Sequence, residues 1–388
     1  MKVNDVFIKQ PCAIYERRRF LELGLSSAAA FCFGCSKAEG KNEDTAVVAP
    51  DWLTEARFYE KINDNLVQCL VCPRECVIPD GKRGYCGTRE NRGGTLYTVV
   101  YGRVVSAVSD PIEKKPFFHV LPGTKAFSIA TAGCNMTCKF CQNWTLSQSK
   151  PEELRSQPMT PEQVAETAFA SRTKSIAYTY NEPTVFTEFV YDCAVAGKNT
   201  GIHSVVISNG YINPEPVERL GEVLTAYKVD LKAFSDTFYR DITGGDLQSV
   251  LNTIKLLKKL DVWVEIVHLT IPTLNDDSRD LTAMADWLTG EVGTDIPVHF
   301  TRFHPMYRLT NLPVTPVSTL ERARNILMEK GMKFVYIGNV PGHPAESTYC
   351  PNCGKKLIER GYGWSVGDVY LKEGACVFCG TPIPGVWA

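Results

Sequence analysis

Eleven of the fifteen cysteines in this chain of 388 residues fall into three sets with metal-ligand spacing. The middle set, Cys134, Cys138 and Cys141, has the form C-x3-C-x2-C inside the stretch Gly133 to Trp144. A closed structural zinc site wants four protein ligands in a tetrahedron, and three cysteines do not supply them. A [4Fe-4S] cluster has four irons and normally takes four thiolates, so a three-cysteine set leaves one iron open to a substrate or cofactor. That open iron is where chemistry is expected.

The first set, Cys69, Cys72, Cys76 and Cys86, reads C-x2-C-x3-C-x9-C, with Gly81, Gly84 and Gly87 letting the backbone turn around an ion. Zinc is the first choice and a second iron-sulfur cluster the alternative, since both metals accept four thiolates. The last set, Cys350, Cys353, Cys376 and Cys379, forms two C-x-x-C-Gly knuckles 22 residues apart, a zinc-ribbon pattern. Leu357 to Arg360 and Trp364 to Val366 supply its strands. The segment between the knuckles is not basic, which points to a structural cap or partner surface. Of the four cysteines left over (Cys12, Cys32, Cys35 and Cys193), Cys193 lies in an apolar helical run and reads as core. Thiols grouped for metals argue for a reducing compartment at assembly.

A formal charge of −1 shows no basic excess, which disfavours nucleic acid as a partner. No uninterrupted apolar run reaches the ~20 residues that span a bilayer. Arg17, Arg18 and Arg19 followed by Phe20-Leu21 and a mildly apolar stretch to Cys35 resemble a twin-arginine export signal, with an N-terminal helix or tail as the alternative. A cytoplasmic location is expected, against export or a membrane anchor. Lys37 to Pro50 is polar and reads as a linker.

A short helix is predicted over Trp52 to Tyr59, a β-hairpin around Gly102 within Gly94 to Ser109, and a connector from Asp110 to His119. From Ala126 the chain alternates strands and helices, which predicts βα units on a parallel sheet. The strands are Ala126 to Thr131, Ser175 to Tyr180, Ser204 to Ser208, Tyr227 to Lys232, Val262 to Leu269, Val298 to Phe303 and Lys333 to Ile337. The predicted fold class is therefore α/β, a partial (β/α)6 TIM-like barrel with an N-terminal Cys-rich extension and a C-terminal zinc ribbon. The corresponding divisions are 1–50, 51–120, 121–342 and 343–388. The cysteine motif leaves the carboxyl end of the first of these strands, where barrel chemistry sits. Glu182, Ser208, Asn209, Asp230 and Lys232 fall at the ends of the next three. Arg302 and His304 sit at the end of the sixth, open between substrate binding and packing. His268 and His299 read as sheet-face or inward residues.

In Cys134 to Cys141 the aromatic Phe140 precedes the third cysteine, and the pattern resembles the signature of radical S-adenosylmethionine (radical SAM) enzymes. The resemblance implies S-adenosyl-L-methionine chelated at the open iron and cleaved to a hydrogen-abstracting 5′-deoxyadenosyl radical. Glu182 in Asn-Glu-Pro takes the place of the Glu in the family's Gly-Gly-Glu-Pro, which contacts the cofactor's amino group. Ser208 and Asn209 resemble the activases' turn near the ribose, and Asp230-Leu-Lys232 resembles their Asp-Leu-Lys. Where activases carry an Asp, position 207 is Ile, which puts a cation site in doubt. From Cys69 to the terminal Ile383-Pro-Gly-Val-Trp387 the chain looks like the AmmeMemoRadiSam-system radical SAM enzymes, relatives of pyruvate formate-lyase activating enzyme. That implies an electron donor such as flavodoxin or ferredoxin, and Memo-like and AMMECR-like partners. Glycyl-radical activation is the alternative, and an iron-sulfur electron carrier the reading from another class.

Overall fold

Runs of β-branched and aromatic residues separated by amphipathic helical stretches bury one sheet face against helices. The computed structural model describes residues 53–388; the leader, the linker and Cys12, Cys32 and Cys35 lie outside the described residues. Its centre is an eight-stranded sheet: β1 Ser106–Pro111, β2 Lys125–Ala130, β3 Ser175–Tyr178, β4 His203–Ser208, β5 Ala226–Asp230, β6 Trp263–Thr270, β7 Val298–Arg302 and β8 Val335–Gly338. Spatial order follows chain order, β2 to β8 are parallel, and β1 runs antiparallel along β2. Six helices connect the parallel strands in turn: α1 Pro161–Ala170, α2 Thr187–Asn199, α3 Pro214–Gly221, α4 Leu247–Lys259, α5 Ser278–Trp287 and α6 Val317–Glu329. All seven strands read from the sequence are present, with ends shifted by no more than two residues.

The two faces of the sheet do different work. Ile176, Val206, Val229, Ile266, Phe300 and Ile337 belong to the helix-packed core. On the other face, Ala126, Ala177, Val205 and Ala226 meet Ile112, Phe117, Val120 and Leu121, so that residues 112–121 plug the amino end of the strands. The buried Glu265 carboxylate fastens this plug, accepting from the backbone N–H of Phe118 (3.0 Å) and of His119 (2.8 Å). His299 Nε2 lies 2.7 Å from the same carboxylate. The carboxyl ends of the strands are left open.

Three local expectations are corrected. The stretch predicted as a helix before Tyr59 instead gives Thr54–Glu55, paired with Thr95–Thr98, and Tyr59–Asn63, paired with Leu66–Cys69. Sheet partners distant in sequence outweigh local helix preference here. The predicted hairpin around Gly102 does not form. Thr95–Thr98 pairs backward with Arg89–Arg92, and β1 pairs forward with β2. Gly102 turns at φ 68°, where an added Cβ would lie 2.8 Å from the Met159 carbonyl oxygen. The predicted connector from Asp110 begins as the end of β1 and continues as the plug.

Beyond β8, Thr348–Tyr349, Lys356–Gly361 and Ser365–Val369 form a small antiparallel sheet, which packs with Phe118, Phe334 and Tyr336. At the other end, strand Arg89–Arg92 is held to the helical core by one buried ion pair. Arg89 Nη1 and Nη2 each donate to Glu188 of α2 at 2.7 Å, and both side chains are at most 2% exposed. Breaking one partner of such a pair strands a charge in the interior. Arg89→Met is expected to destabilise the protein by about 3–5 kcal/mol, read as a lowered urea midpoint; a change within about 0.5 kcal/mol would show the pair to be dispensable.

Candidate active site at the carboxyl end of the sheet

The loop after β2 carries Cys134, Cys138 and Cys141 and contains little regular structure, so its shape is set by hydrogen bonds to neighbouring loops. Asn181, just past β3, supplies four of them. Its Oδ1 accepts from Thr131 N–H, and its Nδ2 donates to Thr131 Oγ1 and to the carbonyls of Ala132 and Gly133, each at 3.1 Å. From the far side, Thr137 and Lys139 N–H donate to the carbonyls of Thr243 and Ile242. Gly133 has φ 85°, and a Cβ there would stand 2.6 Å from the Cys86 carbonyl oxygen. Glycine is required for that approach.

A cavity of about 400 Å³ opens beside the loop. Cys134, Cys138, Phe140, Cys141, Glu182, Ser208, Asn209, Asp230 and Lys232 all line it, so every residue predicted for the central site reaches one space. Glu182 is buried and heavily hydrogen-bonded. Its Oε1 accepts from Thr184 N–H (3.0 Å), Thr184 Oγ1 (2.7 Å) and Ser208 Oγ (2.6 Å), and its Oε2 from Asn209 N–H (2.8 Å). Burial nevertheless pushes its pKa up, against the four donors that favour the carboxylate. Asn209 Oδ1 accepts from Tyr211 N–H at 2.8 Å, while its Nδ2 donates to Asn135 Oδ1 at 2.9 Å and faces Cys134 Sγ at 3.9 Å.

Asp230 lies between two lysines, bonded to Lys228 Nζ and 3.4 Å from Lys232 Nζ. Burial alone would raise its pKa, but the two cations hold it below the usual carboxylate range. Lys232 Nζ lies 5.7 Å from the centre of the Phe140 ring. The fields of Asp230, Cys138 and Cys141 raise its pKa against the cost of burial.

Several lining residues escaped the sequence reading. Lys228 stands two residues before Asp230 on the same strand face, a period-two signal that would have found it. Tyr180 and Asn181 occupy the places of the two glycines in Gly-Gly-Glu-Pro. Tyr180 takes φ 70°, a glycine-like conformation, and its hydroxyl bonds to Asp110 and to Lys115 Nζ, the latter at 3.1 Å. Arg302 is turned away to structure, its Nε donating to the Thr315 carbonyl at 2.8 Å, and His304 is exposed. His268 is buried, with a pKa lowered to about 4 by burial.

The three cysteine sets differ in spacing. Sulfurs of the terminal set meet in pairs, Cys350 with Cys379 at 3.6 Å and Cys353 with Cys376 at 3.8 Å, and all four lie within 4.8 Å of one another. A zinc tetrahedron with bonds of about 2.3 Å puts its sulfurs about 3.8 Å apart, so this set fits zinc. Among the described residues no other three cysteine sulfurs are that close together. Cys134, Cys138 and Cys141 line one cavity without closing to a zinc-like spacing.

The Glu182 network yields a stability test. In Glu182→Gln, either orientation of the amide turns an N–H toward at least one of the four donors. A loss of about 1–3 kcal/mol is expected, read by urea denaturation; an unchanged midpoint would mean that the network contributes no net stability.

Residues 128–285 match the family model of the Radical SAM superfamily. An uncharacterized protein of Methanocaldococcus jannaschii is 48% identical over 332 residues, which cover 85% of this chain and 99% of that one. Pyruvate formate-lyase 1-activating enzyme of Escherichia coli K12 is 25% identical over 221 residues, 53% of this chain and 89% of that one. The crystal structure of a radical SAM methyltransferase from Sphaerobacter thermophilus aligns with a TM-score of 0.46 at 14% identity, covering 74% of this chain and 76% of that one. The family match begins within β2, which feeds the cysteine loop, and ends within α5, so it spans the strand ends that build the cavity, and the chain belongs to the radical SAM superfamily.

Proposed function

We propose that Cys134, Cys138 and Cys141 hold a [4Fe-4S] cluster and that S-adenosyl-L-methionine binds in the adjoining cavity. The observation that carries this reading is the convergence of nine side chains from the ends of four neighbouring strands on one cavity. Bound there, the two groups supply reductive cleavage of the sulfonium to methionine and a 5′-deoxyadenosyl radical that takes a hydrogen atom from the substrate.

The chain's own residues have separable tasks. Glu182, immobilised by its four donors, is an acceptor for the cofactor's ammonium group. Ser208 and Asn209 fit the ribose side. Lys232 is a fixed cation close to Cys138 and Cys141 and offsets thiolate charge, while Asp230 keeps that lysine in place. Phe140 supplies an apolar wall that excludes water from the reactive centre.

The terminal cysteines hold a structural zinc, and the chain is organised as an N-terminal Cys-rich region to residue 120, a core over 121–342 and a ribbon over 343–388. Flavodoxin or ferredoxin supplies the electron, and the setting is cytoplasmic. The substrate is reached together with Memo-like and AMMECR-like partners, a reading that rests on the sequence motifs. A second reading, activation of a glycyl-radical enzyme, is favoured by the 25% identity to the Escherichia coli activating enzyme.

The anaerobic protein, reduced and given S-adenosylmethionine, is expected to form 5′-deoxyadenosine. Cys138→Ala is expected to lower that yield at least about 100-fold while the zinc content stays unchanged. Cleavage retained in that variant would remove the cluster assignment.

A further inference from the structure

Cys69, Cys72, Cys76 and Cys86 line a second cavity, separate from the one above, together with Arg74, Arg89, Tyr85 and Asn135. All four are free thiols. Their number suits zinc, the first expectation from the sequence, but their spacing does not. The terminal set closes to 3.6 and 3.8 Å within its pairs, whereas no three sulfurs of the N-terminal set lie within 4.8 Å of one another. The four cysteines stand around a space instead of closing on a point. A zinc ion needs sulfurs about 3.8 Å apart, and a cubane cluster needs them roughly 6 Å apart.

The walls suit an anionic inorganic cluster. Buried Val71, Ile78 and Val185 exclude water, and buried Arg89, whose guanidinium is paired with Glu188, lines the cavity with them. Arg74 lies over the Tyr85 ring, 3.5 Å from its centre, and Nε donates to the Asn135 carbonyl at 2.6 Å.

This cavity backs directly onto the central cysteine loop. Asn135 lines it together with Cys72, while Asn135 Oδ1 accepts from Asn209 Nδ2, the atom that faces Cys134 Sγ at 3.9 Å. Two residues before Asn135, Gly133 abuts the Cys86 backbone. The Asn209–Asn135 hydrogen bond thus joins the lining of one cavity to the lining of the other.

We infer that Cys69, Cys72, Cys76 and Cys86 hold a second, fully ligated [4Fe-4S] cluster, placed to pass electrons to the first. In that transfer a one-electron protein reductant is oxidised as the second cluster is reduced. The second cluster returns to its oxidised state when the electron moves to the first. The relay rests on the function proposed above, but the identity of the metal does not.

The test begins with full-length protein isolated anaerobically from iron-supplemented cells, without reconstitution. In the triple variant Cys134→Ala, Cys138→Ala, Cys141→Ala, about four irons and four labile sulfides per chain are expected, with about one zinc and a paramagnetic signal on dithionite reduction. Iron near zero with a second zinc, or no metal beyond the first zinc, overturns the inference. Cys69→Ser, Cys72→Ser keeps the test sound should the triple variant fail to fold: iron is expected to fall from about eight to about four, and no fall overturns it. In the reduced wild type, the resonance is expected to show spin coupling that both variants lack. An uncoupled sum of two signals overturns the relay. Iron retained in the triple variant alongside a wild type that forms no 5′-deoxyadenosine would leave the second cluster standing and remove the proposed function.

Discussion

A loop of thirteen residues with three thiols in it has no hydrophobic core of its own, and the site depends on how that loop is held open. The Asn181 amide carries much of this burden, because one planar group satisfies backbone and side-chain atoms at Thr131, Ala132 and Gly133 together. Buried backbone donors and acceptors left unpaired are costly, so the amide selects one path for the chain leaving β2. Glu182, next in sequence, gathers donors from Thr184, Ser208 and Asn209 and thereby joins the ends of β3 and β4. The two neighbours couple the cysteine loop to the cavity wall.

Charge inside the sheet is arranged in compensating groups. Lys228, Asp230 and Lys232 alternate cation, anion and cation along one strand and its extension, with a net positive balance beside the thiols. Deeper in, Glu265 is satisfied by the plug backbone and by His299. Buried charges are tolerated when paired and hydrogen-bonded, and removal of one member leaves its partner exposed to the low-dielectric interior. The lower half of the sheet's inner face is consequently a fixed floor beneath the open upper rim.

The outer cysteine sets attach to this frame differently. The ribbon packs with Phe118, Phe334 and Tyr336 through an apolar cluster, and Arg360 Nη2 donates to the Phe118 carbonyl at 2.6 Å. The N-terminal set is tied to the side of the central cysteine loop by the Arg89–Glu188 pair and by Asn135. The former position suits a cap on the plug. The latter places four thiols next to the loop on which the chemistry is proposed to occur.

Much of this was legible in the amino-acid sequence because strands, helices and metal-ligand spacing are local signals. The period-two and helical patterns located all seven parallel strands, and the turn residues at their ends placed Glu182, Ser208, Asn209, Asp230 and Lys232 on one rim. Pairing between distant segments is not written in local pattern. The strand at Thr54–Glu55, the backward pairing of Thr95–Thr98 and the plug around Phe117 therefore had to be seen in three dimensions. The same holds for Asn181 and Asn135, ordinary turn residues by type whose importance lies in which loops they bridge. Sequence alone determined how many thiols each set contains. The distances between those thiols, which separate a tight tetrahedral site from an open one, were decided by tertiary packing, because ligand spacing along a chain does not specify how far apart folding leaves the sulfurs.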